Sequence, residues 1–562
     1  MVGIRLLAIK QDACHLSSTE SSPCRARIWA GRGQQKRLRT GHVDYNVSNC
    51  LTIEHTGNRM RYPQLELLTP QEMSAADRIT IAGGVSGRSL MARAGAAVAE
   101  IARRRWRSGR IVVLSGRGNN GGDGWVAARL LRDLGFQVTV GLLGHRNLLA
   151  GDVRIAAEQF HGEVLPAEPG IFVGVGLVVD ALYGAGFRPP LDEGTAALVA
   201  AVNRSDAVVI SVDLPSGVDG ETGQIDQLAI EADETVTFFR LKTGHKLLPG
   251  RTHCGPITLA QIGIDDTVLK PIAPKAFRNH PHLWVDDLPL PGAAGHKYDR
   301  GHTLVLSGPA TATGAARLAA IAALRMGSGL VTLASPPAAL LVNSAQLTAI
   351  MLRRLDGHDG LRALLEDTRF NAIVLGPGMG VSDETARLVE TALRSRRQVV
   401  LDADALTSFA DEPDRLFQAI ARGGDAVLTP HMGEFRQLFP DLVEGSKLSS
   451  ARAAASRSDA VVLLKGADTI IASSGGWAAI NDNAPPNLAT AGAGDVLAGI
   501  VGGLLAQGMA ASMAAAAAAW IHGCAAKLAG PGLIAEDLPD QLPSVIAELS
   551  RTQFGDPALA AD

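Results

Sequence analysis

The first half of the sequence contains a glycine-rich segment whose spacing could bind a nucleotide. Residues 113–131, "VLSGRGNNGGDGWVAARLL", hold the pattern G-x-G-x-x-G between an apolar run and an apolar-periodic stretch, which is the spacing of a dinucleotide-binding fingerprint. Such folds also carry an acidic residue about 20 residues further on, at the end of the second strand. The strand "QVTVGLLGH" has no acidic residue at its end. The fingerprint alone is therefore a weak indication, and Asn119, Asn120 and Asp123 need a different explanation.

Two carboxylates stand at the ends of later apolar runs in the same half. Asp180 ends "GLVVD" and Asp213 ends "VVISVD". Ligands of open parallel sheets bind outside the carboxyl ends of the strands, so we expect both aspartates to share one cleft with Asn119–Asp123. Asn and Asp oxygens with backbone carbonyls suit a monovalent or hard divalent cation. A single aspartate at a strand end is often only a turn or capping residue, but three strand ends together favour a site.

Five polar or glycine-rich motifs follow the predicted strands of the second half. They are "GPGMG" (376–380), "LDADAL" (Asp402, Asp404), "LTPHMGE" (His431, Glu434), "LKGADT" (Lys465–Thr469) and "NLATAGAGDVLAG" (Asn487–Gly499). In the last motif the glycines lead directly into a long apolar helix that begins near Asp495. Backbone N–H groups at a helix N-terminus form an anion site, and a carboxylate beside them can act on a hydroxyl group. This half therefore predicts phosphate chemistry next to a base.

The elements that must position these residues alternate between strand and helix patterns, which predicts a mostly parallel, doubly wound α/β sheet in each of two domains. Thr69, Pro70 and Glu72 predict a helix start with a capping box. We predict domains at 63–280 and 291–555, joined by a Pro-rich linker at 281–290. The predicted strands are Ile111–Ser115, Val138–Leu142, Leu177–Asp180, Val208–Asp213, Thr303–Ser307, Ile373–Leu375, Val399–Leu401, Ala426–Thr429 and Val461–Lys465.

Composition excludes several classes of protein. A chain of 562 residues is longer than a single hydrophobic core usually organises, which predicts at least two domains. The formal net charge of −3 gives no electrostatic reason for a nucleic-acid partner. Five cysteines without a CxxC pair argue against a zinc site or a disulfide framework, so we expect reduced thiols and a cytoplasmic protein. The uncharged stretch 496–526 is Ala-rich and broken by glycines, which predicts two buried helices and no membrane span.

Residues 1–62 differ from the rest of the chain. They hold three of the five cysteines and a basic excess, without a sustained helical or strand period. A disordered arm, a transit peptide and translation that starts at Met60 are the alternatives.

The motifs "NNGGDG", "VDALYGAGF" and "VDLPSGVDGETG", in this order, resemble the NAD(P)H-hydrate epimerases over about Leu67–Ile264. The family often has Pro where this chain has Arg117. The resemblance implies a potassium ion held at Asn120, Asp180 and Ser216. It also implies contacts with a hydrated nicotinamide nucleotide at Asn119, Asn120, Gly121, Gly122, Asp123, Gly184, Ala185, Gly186, Phe187, Arg188, Pro189, Pro190 and Asp213.

The implied reaction inverts a ring carbon that bears an added hydroxyl and lies next to the ring nitrogen. An acid–base carboxylate can assist the loss and return of water, or ring opening. We assign this role to Asp213.

In the second half, "HKYDRGHTLVLSG", "TGAARLAA", "GPGMG", "TPHMGEF" and "TAGAGDVLAG" resemble the NAD(P)H-hydrate dehydratases of the ribokinase-like superfamily over about 288–550. The resemblance implies that ADP drives loss of water from the S hydrate. Asp495 would deprotonate the ring hydroxyl so that a phosphoryl group activates it, with Mg²⁺ and the anion site stabilising the transferring charge. The implied substrate contacts are Ala315, Gly378, His431 and Asp495. The implied nucleotide contacts are Lys465, Gly466, Ala467, Asp468, Thr469 and Gly494.

Together the two resemblances predict a cytoplasmic, homo-oligomeric enzyme that repairs the hydrates NADHX and NADPHX, with no membrane partner. Two alternatives stay open. A small-molecule kinase would share the anion site and base, but it would release a phosphorylated product. A first domain that only binds nucleotide would show no epimer exchange, although its intact Asn119–Asp123, Asp180 and Asp213 count against this alternative.

Overall fold

A computed structural model describes residues 64–292 and 295–553, in which two mainly parallel sheets are covered by helices on both faces. This is the α/β architecture that the alternating strand and helix patterns predict. The predicted N-terminal extension, residues 1–62, lies outside the described residues.

The first sheet is formed by residues of the N-terminal half and is entirely parallel. Its strand order is β4-β3-β2-β5-β6-β7-β9. The four strands predicted in this half are confirmed, with small shifts at their ends. Its strands are β2 (Arg110–Ser115), β3 (Gln137–Leu142), β4 (Glu163–Pro166), β5 (Val175–Ala181), β6 (Val208–Val212), β7 (Glu234–Phe238) and β9 (Ile257–Ala260).

The second sheet combines strands from both halves of the chain, in the order β13-β12-β11-β14-β15-β16-β17-β18-β19-β10-β1-β8. The run from β13 to β17 is parallel, and it contains the five predicted strands. The strands are β1 (Glu66–Leu68), β8 (Leu241–Lys242), β10 (Ala276–Arg278), β11 (His302–Leu306), β12 (Leu330–Ser335), β13 (Met351–Arg354), β14 (Ala372–Leu375), β15 (Gln398–Leu401), β16 (Ala426–Leu428), β17 (Val461–Leu464), β18 (Thr469–Ala472) and β19 (Ala478–Asn481).

Helices cover both sheets. The first begins with the predicted capping box, in which the Thr69 hydroxyl accepts from Glu72 N and the Glu72 carboxylate accepts from Thr69 N. The helices are α1 (Pro70–Ala82), α2 (Gly87–Arg105), α3 (Asn119–Asp133), α4 (Gly151–Glu158), α5 (Glu193–Arg204), α6 (Gly250–His253), α7 (Leu269–Ile272), α8 (Gly314–Arg325), α9 (Leu340–Ser344), α10 (Gly357–Leu364), α11 (Asp383–Arg394), α12 (Asp404–Thr407), α13 (Pro413–Arg422), α14 (Met432–Leu438), α15 (Lys447–Ser458), α16 (Ala493–Ala506), α17 (Ala511–Ala529) and α18 (Asp537–Gln553).

Alternate strand residues feed the cores on opposite faces of each sheet. In β11, Val305 packs with α8, α16 and α17 on one face, while Leu304 and Leu306 pack with α11 and α13 on the other. This two-sided burial explains why the central strands are almost continuously apolar, since parallel sheets are covered on both faces. The polar residues of each sheet therefore lie at the carboxyl ends of its strands.

The predicted pair of buried helices from the stretch 496–526 is confirmed as α16 and α17, whose residues are largely buried. Across residues 64–292 and 295–553, no helix has the length and apolarity to cross a membrane.

The stretch predicted as a linker, 281–290, is packed into the core of the second half. It forms two short 3-10 turns, Pro281–Leu283 and Val285–Asp287. Trp284 is 1 % exposed, its indole N–H donates to Asn279 Oδ1 at 3.1 Å, and its ring meets Trp520 edge-on. Because β10 immediately precedes this stretch and pairs with β19, the two halves share a sheet as well as a core.

Candidate active sites

A cavity of about 910 Å³ opens at the carboxyl ends of β2, β5 and β6. Most of the predicted substrate contacts of the first half line it. Arg117, which stands where the family often has Pro, also lines the cavity. The lining contacts that the sequence predicted are Asn119, Asn120, Asp123, Gly184, Ala185, Gly186, Phe187, Arg188, Pro190 and Asp213.

The "NNGGDG" motif forms the first turns of α3, with Gly118 as the N-cap and no side-chain cap. Gly121 and Gly122 are buried and Pro189 is half-buried, and none of these three predicted contacts lines the cavity. A Cβ atom at Gly121 would lie 2.0 Å from the Gly116 carbonyl oxygen, and one at Gly116 would lie 2.0 Å from that of Leu182. The glycines of the fingerprint are therefore needed because the backbone of this turn packs too closely for a Cβ atom.

Asp213 is held at the cavity wall by three donors. Lys242 Nζ and Thr237 Oγ1 donate to its Oδ1 at 2.6 and 2.9 Å, and Ala185 N donates to its Oδ2 at 2.8 Å. Burial of the carboxyl raises its pKa, but the adjacent Lys242 ammonium outweighs this effect and brings the pKa to about 2. Lys242 is itself almost fully buried. Asp213 is thus a fixed negative charge at every ordinary pH.

The backbone of Asp213 is held as well. Its φ of +66° is in the left-handed region, which costs a non-glycine residue free energy. His245 Nε2 lies 2.7 Å from the Asp213 carbonyl oxygen, and His245 Nδ1 accepts from Lys242 N. These contacts assign the proton of the neutral ring to Nε2, which donates to the carbonyl. Burial, aided by Lys242, lowers the pKa of His245 to about 4, so the ring is neutral near pH 7.

Asp123 is a second carboxyl group of the same cavity, and its pKa is shifted in the opposite direction. Burial raises its pKa well above the usual value, and the negative charges of Asp213 and Asp77 raise it further. Asp77, from α1, also lines the cavity, and burial raises its pKa too. The cavity therefore sets one ionised carboxylate beside carboxyl groups that favour the protonated state.

Asn120 lines the cavity, whereas Asp180 and Ser216 are buried outside its lining and reach it through the turn at residues 183–184, where Tyr183 N donates to Ser216 Oγ at 3.0 Å. Asp180 is fully buried and accepts from Ser216 N and Oγ and from Ser211 Oγ. Burial raises the pKa of Asp180, opposed by its hydrogen bonds with Ser216. Both polar atoms of the Asn120 amide are buried without a hydrogen-bond partner. Such an orphaned amide indicates a missing ligand, since buried polar groups are normally paired.

The second site lies at the carboxyl ends of β15, β16 and β17. Lys465 Nζ donates to Asp402 Oδ1 at 2.6 Å, and Thr429 Oγ1 donates to the same oxygen at 2.8 Å. Glu434 Oε2 lies 3.9 Å from Lys465 Nζ. These groups form one charged cluster below the N-terminus of α16.

Asp495 stands in the first turn of α16, next to this cluster. Burial and the negative charge of Asp402 raise its pKa and Lys465 opposes both effects, which together bring the pKa to about 6. A Cβ atom at Gly494 would lie 3.4 Å from Lys465 Nζ and 3.7 Å from Asp402 Oδ2. The predicted base, Asp495, and the predicted anion site at Gly494 therefore lie beside the same pair of Lys465 and Asp402.

The other predicted substrate contacts of the second half are Ala315 in the first turn of α8, Gly378 in the loop after β14, and His431 at the N-cap of α14. A Cβ atom at Gly378 would lie 3.5 Å from that of Ala315, so these two residues are adjacent. His431 begins α14, where its Nδ1 accepts from Glu434 N and its exposed side chain faces solvent. A further cavity of about 640 Å³ adjoins Gly308 and Met379, next to the Gly378 loop.

The predicted nucleotide loop, 465–469, turns from β17 into β18. Gly466 N donates to Thr469 Oγ1, which donates to the Gly466 carbonyl oxygen. Asp468 is buried, and it accepts from Lys447 Nζ at 2.6 Å and from Leu248 N at 3.0 Å. Its carboxylate is therefore engaged within the protein, which leaves the backbone of the loop and Lys465 for contact with a nucleotide.

Several residues of these sites carry no motif that sequence reasoning could use. Lys242, His245 and Thr237 reach Asp213 from "TVTFFRLKTGH", and Asp77 comes from the amphipathic helix α1. The one signal in the sequence is the position of Lys242, four residues after the end of the apolar strand β7. Asp402 belongs to the LDADAL motif, but its pairing with Lys465 is visible only in the structure.

Comparisons with known proteins match both halves. A family model described as "YjeF-related protein N-terminus" matches residues 87–244, and one described as "NAD(P)H-hydrate dehydratase" matches residues 303–547. The chain is similar to the bifunctional NAD(P)H-hydrate repair enzyme Nnr of Coxiella burnetii, with 34 % identity over 83 % of this chain and 96 % of that protein. The Nnr protein of Salinibacter ruber is 36 % identical over 86 % of this chain and 96 % of that protein.

Among solved structures, a similar one is the ADP/ATP-dependent NAD(P)H-hydrate dehydratase from Bacillus subtilis, co-crystallized with ATP and Mg²⁺. It is 28 % identical, has a TM-score of 0.41, and the match covers 47 % of this chain and 96 % of that chain.

The buried pair of Lys242 and Asp213 gives a prediction on stability. Lys242→Met leaves a buried carboxylate without its partner, so we expect a loss of about 3–5 kcal/mol in the free energy of unfolding. The double variant Lys242→Met/Asp213→Asn should recover part of this loss, because no buried charge then remains unpaired. Denaturant unfolding of the single and double variants measures the coupling. Equal stability of Lys242→Met and the unsubstituted protein would contradict the pairing.

Proposed function

This chain belongs to the family of bifunctional NAD(P)H-hydrate repair enzymes, and we propose that each of its halves catalyses one step of the repair. The N-terminal half interconverts the R and S hydrates, and the C-terminal half converts the S hydrate to NAD(P)H at the expense of ADP, giving AMP and phosphate. The similarity covers both halves, so a kinase fused to a non-catalytic binding module is not favoured. The observation that carries the proposal is the arrangement that both sites share, in which a lysine-bound aspartate (Asp213 with Lys242, Asp402 with Lys465) stands beside a carboxyl group of raised pKa (Asp123, Asp495).

In the epimerase site, the charge states support a division of roles between Asp123 and Asp213. Asp123, held protonated, donates its proton to the departing hydroxyl, and water leaves from the carbon beside the ring nitrogen. The nitrogen lone pair and the fixed charge of Asp213 stabilise the resulting cation. Water then adds from the other face and returns a proton to Asp123. Asp123 therefore carries out the proton transfer in this proposal, in place of Asp213, the group predicted from the sequence. A carboxylate with a pKa of about 2, such as that of Asp213, is a poor base.

In the dehydratase site, Asp495 is placed to act as a base. It takes the proton of the ring hydroxyl while the oxygen attacks the terminal phosphoryl group of ADP and AMP departs. The phosphate then leaves the ring carbon with the bonding pair, and loss of a proton from the adjacent carbon restores NAD(P)H. Lys465 and the backbone N–H groups at the start of α16 stabilise the phosphoryl charge.

The donor set of the second site fits Mg²⁺ held together with a nucleotide. Among the residues that the structure describes, no group of three or more His, Cys, Asp or Glu could hold a metal alone, but Mg²⁺ usually needs only one or two carboxylates plus substrate phosphates. Asp402, with its Oδ2 beside Gly494, is the residue to hold it. The ion would neutralise the charge that develops on the transferring phosphoryl group.

The orphaned amide of Asn120 supports the proposal of a potassium site in the first cavity. Its buried Oδ1 has no donor, and the turn at residues 183–184 contacts both Asn120 and Ser216, whose hydroxyl donates to Asp180. A cation there would order the turn that carries Gly184, because a Cβ atom at Gly184 would lie 3.1 Å from Asn120 Oδ1 and 3.0 Å from Asp213 Oδ2. The remaining expectations, a cytoplasmic location and a homo-oligomer, stay part of the proposal.

The first test uses separated R and S forms of NADHX with ADP and Mg²⁺. NADH is followed by its absorbance and the epimers by chromatography. Asp495→Asn should lower NADH formation by about 10²–10⁴-fold and leave epimer exchange intact. Asp123→Asn should lower epimer exchange by a similar factor and leave NADH formation from the S hydrate intact. Asp540→Asn, which removes a surface carboxylate, is the control. Accumulation of a phosphorylated alcohol with no NADH would contradict the proposal and favour a kinase.

The pKa of Asp495 predicts the pH dependence of NADH formation. A base must be deprotonated, so kcat/KM should fall below about pH 6. Since Lys465 lowers the pKa of Asp495, Lys465→Met should move this acid limb to higher pH, whatever its effect on the plateau. Lys527→Met should leave the limb in place. A limb that stays fixed in Lys465→Met would argue against Asp495 as the titrating group.

The potassium site predicts a cation dependence of epimer exchange. Replacing K⁺ by tetramethylammonium should lower both the exchange rate and the thermal unfolding midpoint. Asn120→Ala should remove the effect of K⁺ on both quantities, whereas Asn147→Ala, an exposed asparagine of the same half, should keep it. If the unfolding midpoint of the unsubstituted protein does not respond to K⁺, the site is not a potassium site.

A further inference from the structure

One short segment of the N-terminal half contacts both sites. Residues 241–251, here named the bridge segment, lie between β7 and β9 of the first sheet along the chain and begin with the two residues of β8. Its first part holds Asp213 at two points: Lys242 Nζ donates to the carboxylate at 2.6 Å, and His245 Nε2 donates to the carbonyl oxygen at 2.7 Å. The conformation of the epimerase carboxylate therefore depends on where this segment lies.

The second part of the bridge segment is bound by the dehydratase half. Lys246 Nζ pairs with Asp482 Oδ2 at 2.7 Å, and both side chains are only 12 % exposed. Leu248 N donates to Asp468 Oδ2 at 3.0 Å, and Arg251 Nη1 donates to the Ala467 carbonyl oxygen at 3.1 Å. Two of these three contacts fall on the predicted nucleotide loop.

The backbone supports the same connection. β8 pairs with β1, β1 pairs with β10, and β10 pairs with β19, which ends one residue before Asp482. Lys242 therefore stands on the edge strand of the sheet that the dehydratase half builds. Its ammonium group reaches from this sheet to a carboxylate at the end of a strand of the other sheet.

These contacts hold Asp213 in a backbone conformation and a carboxylate orientation that tolerate little displacement. Asp213 has a φ of +66°, and its carboxylate must face the ring carbon of the substrate. Misplacement of a reacting or stabilising group by about 1 Å can cost about 100-fold in rate. Contacts at both the carbonyl and the carboxylate prevent such a shift only while the bridge segment is itself fixed.

We propose that Asp482 and Asp468, in the dehydratase half, are positioning residues for the epimerase reaction. They fix the bridge segment through Lys246 and Leu248, and the segment fixes Asp213 through Lys242 and His245. Neither aspartate lines the epimerase cavity, so each acts at a distance on the orientation of Asp213. The inference rests on the proposed epimerase function of the first cavity.

The test measures epimer exchange of NADHX by the full chain, without ADP, in Asp482→Asn and Lys246→Met. We expect kcat to fall by about 10–100-fold while KM stays within about twofold, because the bridge segment contributes only Lys242 to the cavity wall. Asp482→Glu should restore part of kcat. Glu390→Gln removes a partly buried carboxylate that pairs with Arg415 in the same half and does not touch the bridge segment; it should retain the exchange rate.

Each outcome bears on a different statement. An unchanged kcat in both Asp482→Asn and Lys246→Met overturns the positioning role, as does an equal loss of kcat in Glu390→Gln, which would show general destabilisation. A raised KM with unchanged kcat would also overturn it, because the effect would then be on binding. If the unsubstituted protein shows no exchange, the proposed epimerase function itself fails.

Discussion

The buried ammonium group of Lys242 is the interaction on which much of this arrangement depends. A lysine that is 1 % exposed is stable only with a paired charge and hydrogen-bond acceptors, and Asp213, Thr237 and the Phe238 carbonyl oxygen supply them. The pair keeps Asp213 ionised in a cavity where burial alone would protonate it. The negative charge thus maintained adds to the effect of burial in raising the pKa of Asp123 next to it. One ion pair therefore acts on the pKa of two carboxyl groups.

The second site reaches the same result with other residues. Lys465 holds Asp402 at 2.6 Å, the distance that separates Lys242 from Asp213, and the charge of Asp402 helps to raise the pKa of Asp495. In both sites a lysine–aspartate pair stands beside a second carboxyl group whose pKa is raised. The chemistry differs because the second site adds the N-terminus of α16, which attracts a phosphoryl group, whereas the first site adds the orphaned amide of Asn120. Pairs of titratable groups with separated pKa values are a general sign of acid–base assignments.

Much of the fold could be predicted from sequence because its signals are local. The central strands are apolar runs bounded by polar motifs, and the Thr69 capping box lies within four residues. Asp495 could be predicted for the same reason, because the glycines that precede it and the helix α16 are contiguous in the sequence. Lys242 could not, because it lies 29 residues from Asp213 and its pairing depends on tertiary structure. Asp468 looked like a nucleotide ligand, but its carboxylate is engaged by Lys447 and Leu248 N. The strands β1, β8 and β10 have only two or three residues, too few for a periodic pattern.

The sharing of the twelve-stranded sheet has a consequence for the order in which the protein folds. During synthesis β10 leaves the ribosome about 200 residues before β19, its neighbour in the sheet. Until β19 is made, the edge of β10 that it covers has no partner strand, and pairing over such a separation in sequence is intrinsically slow. An exposed strand edge is a template for pairing with other chains. The Pro-rich stretch that follows β10 carries Trp284, which is buried in the second core, so this stretch closes only after that core has formed. Pairing of the open β10 edge with other nascent chains is therefore the misassembly that this topology favours.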